Sequence, residues 1–180
     1  MMLKISDIKV GQVLRSEFDQ ITRELLQKYA KASGDTNPIH TNDAIAERAG
    51  LKGVIAHGLF SSSFIIKMLD DFVGEDGKVI ELAIEMRGMV RCGDTLITEG
   101  TVTKIEGKRV FLDIKQTTIT PVEIKKDGNV IKKFEAGERG YISEKDIARG
   151  LVKTKEIEEG ILTYRERIAA PGHAIIELNE

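Results

Sequence analysis

The chain has 180 residues, 27 Lys and Arg against 29 Asp and Glu for a formal net charge of −2, and 41% hydrophobic and 31% charged residues. That length suits one domain with a core of its own, and the composition is that of a globular protein. The near-neutral charge gives no basic field for nucleic acid, and the one cysteine, Cys92, excludes an internal disulfide framework and a multi-cysteine zinc site.

The opening MMLKISDIKVGQ lacks a long apolar run, and no stretch approaches a membrane span, so the cytoplasm is the expected compartment. Val10 to Phe18 reads as an extended lead-in strand. Ile21 to Ser33 reads as a helix: Thr22 caps it, Glu24 suits its first turn, and Leu25, Leu26, Tyr29 and Ala30 recur at helical spacing. Gly34 ends it, opening the turn cluster Gly34-Asp35-Thr36-Asn37-Pro38. A short helix is expected over Thr41 to Ala49, stopped by Gly50. Gly58 to Val73 is the most apolar segment, hydrophobic around most of its circumference, and such a helix belongs inside a wrapping of other elements.

Sheet-like segments follow. Val79 to Val90, Thr95 to Ile105 and Arg109 to Thr120 are rich in β-branched residues with partial alternation. Turns are expected at Glu106-Gly107-Lys108 and Asp127-Gly128-Asn129, with a further strand from Val130 towards Ile142. The expectation is an α+β fold, an antiparallel sheet of about four or five strands curled around the apolar helix. Residues 1–142 form that domain in this reading. Residues 143–180 are set apart as a C-terminal extension, a helix and an extended end.

The informative string is Gly34-Asp35-Thr36-Asn37-Pro38-Ile39-His40. Five chosen residue types at fixed spacing arise by chance in a chain this long with probability on the order of 10⁻⁴ or less. Downstream, Ala56-His57-Gly58 opens the apolar helix, and Gly93-Asp94 precedes a strand. With Tyr29-Ala30 and Ser33 ahead of the motif, the chain resembles the MaoC-like hydratase family over roughly Val10 to Ile142. The resemblance implies a hot-dog fold, a homodimer or dimer of dimers with sites at the interface, and (R)-specific hydration of enoyl thioesters. It places the family's aspartate and histidine on Asp35 and His40.

The residue types suit that chemistry. Adding water across an α,β-unsaturated thioester needs a base for the water, an acid for the α-carbon, and donors for negative charge on the thioester oxygen. A carboxylate and an imidazole five residues apart, with an Asn-Pro turn between, can converge on one water. Asn37 holds the loop or the water. The Gly58 N–H, at the positive end of the helix, suits the oxyanion, and its missing side chain admits the thioester. No metal or redox cofactor is called for.

Each residue has a plainer reading. Asp35 alone is an exposed turn residue, and Asn37-Pro38 alone a turn without function. His57 is expected to be structural near the helix start, with substrate contact as its second reading. Ser61, Ser62 and Ser63 either bond back to helix carbonyls or position Asp35, with Ser63 counted on the substrate side. Arg87 and Arg91 are candidates for the carrier's phosphates or pantetheine, against the alternative of ordinary strand arginines. His173 is expected at the surface, and Cys92 as a small buried group. Two features depart from the family: Ile66 stands where relatives place a hydroxyl, and Glu85 to Arg91 lacks the usual proline. The substrate is expected on coenzyme A or an acyl-carrier protein, with no nucleic acid and no membrane as partners. The competing functions are a hot-dog thioesterase and a non-catalytic acyl-thioester-binding subunit.

Overall fold

The computed structural model describes residues 3–179. A first strand, β1 (Val13–Phe18), leads into α1 (Arg23–Ser33). Thr22 caps α1 by accepting the Leu25 N–H at 3.2 Å, and Gly34 ends it with φ 76°, a left-handed conformation that suits glycine. Asn42 caps the short α2 (Asp43–Arg48) in the same way. The apolar helix α3 (Gly58–Val73) runs over the expected residues. Ile65, Met68, Leu69 and Val73 are buried against Val102, Leu112 and Ile176 of the sheet. Its burial is one-sided, however, because Leu59, Ser63 and Ile66 remain exposed.

The sheet follows as β2 (Gly77–Ile84), β3 (Thr95–Glu106), β4 (Arg109–Lys126) and β5 (Asn129–Lys133). Then come α4 (Glu135–Glu138) and α5 (Glu144–Ala148), and finally β6 (Val152–Ile157) and β7 (Gly160–Leu178). The order is β1-β3-β4-β7-β2, antiparallel throughout, with β5 on the far part of β4 and β6 on that of β7. This is the expected hot-dog arrangement of an antiparallel sheet around a central helix, with seven strands rather than four or five. Among the described residues, no helix is long and apolar enough to cross a membrane.

Three expectations about elements are corrected. The strand expected to Val90 stops at Ile84, leaving residues 85–90 as an irregular segment, and the strand expected from Val130 to Ile142 stops at Lys133. The larger correction concerns the tail. The last nineteen residues of strand are not an appendage: β7 lies inside the sheet between β4 and β2, and its Ala170, Ala174, Ile176 and Leu178 belong to the main core. Domain and extension are therefore one body, and what projects is the excursion of residues 127–159 between the paired strands β4 and β7. Pro171-Gly172, which reads as a strand breaker, is accommodated because β2 pairs only as far as Ile84 opposite Gly172. A Cβ on Gly172 would lie 2.2 Å from the Ala83 carbonyl oxygen, so glycine there permits the strands to approach.

Candidate active site

The loop after α1 is built from its own polar side chains. Ser33 Oγ accepts the Asp35 N–H at 3.2 Å, Asp35 Oδ1 accepts the Asn37 N–H at 3.2 Å, and Asn37 Oδ1 accepts the Ile39 N–H at 3.3 Å. Pro38 then opens a single tight turn that ends at His40. Asn37 thus holds the loop, the first of its two expected roles. Its side chain does not line the cavity described below.

His40 is buried, and its Nδ1 donates to the Ile55 carbonyl at 2.8 Å. That bond requires a proton on Nδ1 and so leaves Nε2 as the nitrogen that can exchange one. His57 lies beneath it, only 1% exposed, with the two imidazoles stacked at 3.8 Å between centroids and 27° between planes. His57 Nε2 donates to the Asp35 carbonyl at 3.1 Å, and its Nδ1 is buried without a partner. Burial holds the His57 imidazole below its ordinary value, and the neighbouring His40 pushes the same way. A neutral His57 avoids placing a second cation against His40. His57 touches Asp35, Tyr29 and His40, an enclosed position that fits the structural role expected of it first.

The Asp35 carboxylate and the two imidazoles bring one donor atom each within 4.8 Å of one another. The set does not suit a metal ion. Imidazole lone pairs lie in the ring planes, and planes stacked 3.8 Å apart at 27° do not meet at the ~2.0–2.1 Å that a transition metal needs from both nitrogens.

A cavity of about 230 Å³ opens beside His40. Ile55, Ala56, Gly58, Ser61 and Ser62 form one wall, residues 86–90 the mouth, and Gln116 with Ala169 and Ala170 the floor. The Gly58 N–H stands in the first turn of the 16-residue α3, where no intrahelical acceptor exists and the helix dipole is positive. A Cβ there would lie 2.3 Å from Met86 Sδ, so the space a side chain would occupy faces the mouth of the cavity. Asp35 is exposed, and its side chain borders His40 without being among the residues that line the cavity.

Other candidates fall elsewhere. Ser63 is exposed, bonds back to the Phe60 carbonyl at 2.7 Å and is not among the residues lining the cavity. Ser61 and Ser62 line the cavity but also bond back, Ser62 to the Gly58 carbonyl at 2.9 Å. Arg87 stands exposed at the mouth, its Nε 2.7 Å from Glu85 Oε2. Arg91 is buried and turned away from this cavity: its Nη1 donates to the Leu51 carbonyl at 2.7 Å and its guanidinium covers the Tyr141 ring at 4.3 Å. Next to it, Asp94 accepts the Arg91 N–H at 2.9 Å, and burial pushes its carboxyl up to about 6. Cys92 is buried as expected, which pushes its thiol up to about 11. His173 is exposed beside Glu81.

The sequence reading missed Gln116. It is 1% exposed and donates from Nε2 to the Ser61 carbonyl at 2.9 Å and to Thr98 Oγ1 at 3.1 Å, while its Oε1 is buried without a partner. A signal was present: Val110, Leu112, Ile114 and Gln116 share the inward face of β4, and the last breaks an apolar series.

Residues 7–126 match the family described as MaoC like domain. The (R)-specific enoyl-CoA hydratase of Rhodospirillum rubrum is 32% identical over 112 residues, which cover 62% of this chain and 77% of that protein. The 3-hydroxybutyryl-CoA dehydratase of Methylorubrum extorquens is 28% identical over 135 residues, 73% of this chain and 84% of that one. In fold, the chain is similar to R-hydratase PhaJ1 from Pseudomonas aeruginosa, with a TM-score of 0.64 at 22% identity over 97% of this chain and 84% of the other.

Proposed function

The chain belongs to the MaoC-like family, and from that premise we propose that it is a hydro-lyase, adding water reversibly to trans-2-enoyl thioesters to give (R)-3-hydroxyacyl thioesters. The observation that carries the reading is the pairing of the Asp35 carboxylate with a His40 whose Nδ1 is committed to Ile55, beside a cavity lined by Gly58 at the start of α3. A water between carboxylate and imidazole gives up a proton to the pair as its oxygen bonds to the β-carbon. The pair returns a proton to the α-carbon on the same face, so addition is syn. Between these events the thioester oxygen carries negative charge, which the Gly58 N–H and the α3 dipole stabilise. Met86 lies against Gly58 and must swing aside to admit the thioester; its exposed position lets it do so. No step needs a metal or redox cofactor. The single cysteine supports a cytoplasmic setting.

The test is an assay on crotonyl-, hexenoyl- and decenoyl-CoA that follows the conjugated thioester absorbance together with free thiol. Absorbance loss without thiol is the expected result. Thiol release from saturated substrates would assign a thioesterase instead, and binding without turnover a non-catalytic subunit.

A further inference from the structure

A second cavity, of about 270 Å³, shares Met89 with the first. Six cationic side chains line it, Lys52, Arg91, Lys145, Arg149, Arg165 and Arg167, against one carboxylate, Asp146. In a chain whose net charge is −2, such a concentration is not a matter of composition. Asp146 is already engaged, accepting from Ser143 N and Oγ and lying 3.6 Å from Arg165 Nη1. Among the described residues, Lys52, Lys145, Arg149 and Arg167 enter no ion pair.

Two of the six are enclosed. Arg165 is 3% exposed and Arg91 6%, and the Arg165 Nε has no hydrogen-bond partner. Arg165 is fixed by the Tyr141 carbonyl and Thr120 Oγ1, and Arg91 by the Leu51 carbonyl and the Tyr141 ring. Guanidinium groups held in place, with donors to spare, are suited to phosphate oxygens, and desolvation strengthens such bonds. Asp94 and Asp146 offset Arg91 and Arg165, but Lys52, Lys145, Arg149 and Arg167 add four charges with no carboxylate of their own, an arrangement suited to an anionic ligand. The excursion between β4 and β7 supplies Tyr141, Lys145, Asp146 and Arg149, beyond the stretch that matches the family.

We propose that this cavity binds the phosphate groups of coenzyme A, the carrier of the acyl thioester. The proposal rests on the thioester reading above, and adjacency across Met89 lets one ligand reach both cavities. Six cations suit the several phosphates of coenzyme A better than the single phosphodiester of a carrier protein's pantetheine arm.

The test is calorimetric titration of the full chain with coenzyme A and with pantetheine, comparing wild type, Lys145→Ala/Arg149→Ala and a control, Lys132→Ala, on exposed β5. Lys145 and Arg149 are exposed, so the pair can be replaced without disturbing the core. The ratio of coenzyme A to pantetheine affinity should fall about tenfold in the double variant, and more in Lys145→Glu/Arg149→Glu, but not in the control. KM for crotonyl-CoA relative to crotonyl-pantetheine should rise by a matching factor. An unchanged affinity ratio overturns the subsite even if hydration is intact. Loss of coenzyme A affinity in a protein that hydrates nothing keeps the subsite and discards the hydratase reading. If the variants weaken crotonyl-carrier protein but not coenzyme A, the assignment to coenzyme A is overturned.

Discussion

Asp35→Asn and His40→Gln each keep a polar group of similar size and remove a proton carrier. Each should lower turnover by about 10²–10⁴, with the double variant little worse than the poorer single one. Thr36→Ala, between them in sequence, should lose far less; turnover with circular dichroism as a folding check decides, and near wild-type hydration by either folded variant would move the chemistry elsewhere. His57→Phe preserves a ring under His40 but drops the bond to the Asp35 carbonyl. Its kcat should fall about 10- to 100-fold with little change in KM, since the reacting groups are displaced while the cavity is not. Burial makes a separable pH effect at Asp94. Its carboxyl is raised from 3.8 to about 6, so its contribution to stability is present below pH 3.8 and is lost as the pH rises towards 6. His57, held below its usual 6.5, acts in the opposite sense, with stability lost as the pH falls below that value. Asp94→Asn abolishes only the first effect, so the Tm of the variant relative to wild type should climb between pH 4 and 6; a difference constant with pH would contradict it. The residues most legible in the sequence were those whose chemistry is local, Asp35 and His40 in one loop and Gly58 at a helix start. Gln116 was not, because its meaning depends on a partner carbonyl 55 positions away and on which face of β4 turns inward.

At the scale of elements, helices were read well because their signals are adjacent in sequence: Thr22 and Gly34 bound α1, and apolar density marks α3. The tail was misread for the opposite reason. Arg165 is buried under the excursion, and Pro171-Gly172 sits where the pairing with β2 ends. Pairing with β4 is a long-range fact that no local pattern announces. Removing everything after Ile142 should therefore unfold the protein rather than trim it, read as loss of a cooperative thermal transition. Replacing residues 127–159 with Asn-Gly is the informative contrast. Lys125 pairs with Ile161, so a two-residue turn can join Lys126 to Gly160 as a tight hairpin. That variant should stay folded with a lower Tm, having lost the buried Ala136 and Tyr141, and should bind coenzyme A more weakly. If it fails to fold while the point variants behave as described, the excursion is structural first.

For the whole molecule, five of the twelve exposed large apolar side chains lie on α3 or around the cavity. Leu59 and Ile66 lie one heptad apart on the same face of α3, Met86 and Met89 flank the mouth, and Ile168 adjoins Ala169, whose carbonyl accepts the Arg87 and Gly88 N–H groups. Such a patch is suited to a second copy, which would close over the site; a homodimer, or a dimer of dimers, is the expected assembly. Light scattering that reports an active monomer at micromolar concentration would refute it. The place of β7 inside the sheet also has a consequence for how the protein is made. During synthesis the helix and the first strands exist before the strand that joins β4 to β2, and among the described residues β2 has no other strand partner. The contacts that close the sheet are therefore the last to become available and span long stretches of chain, which slows folding. A nascent chain stalled ahead of residue 160 would hold β4 with one bare edge and β2 with two, and would need shielding from its neighbours until the final strand emerges.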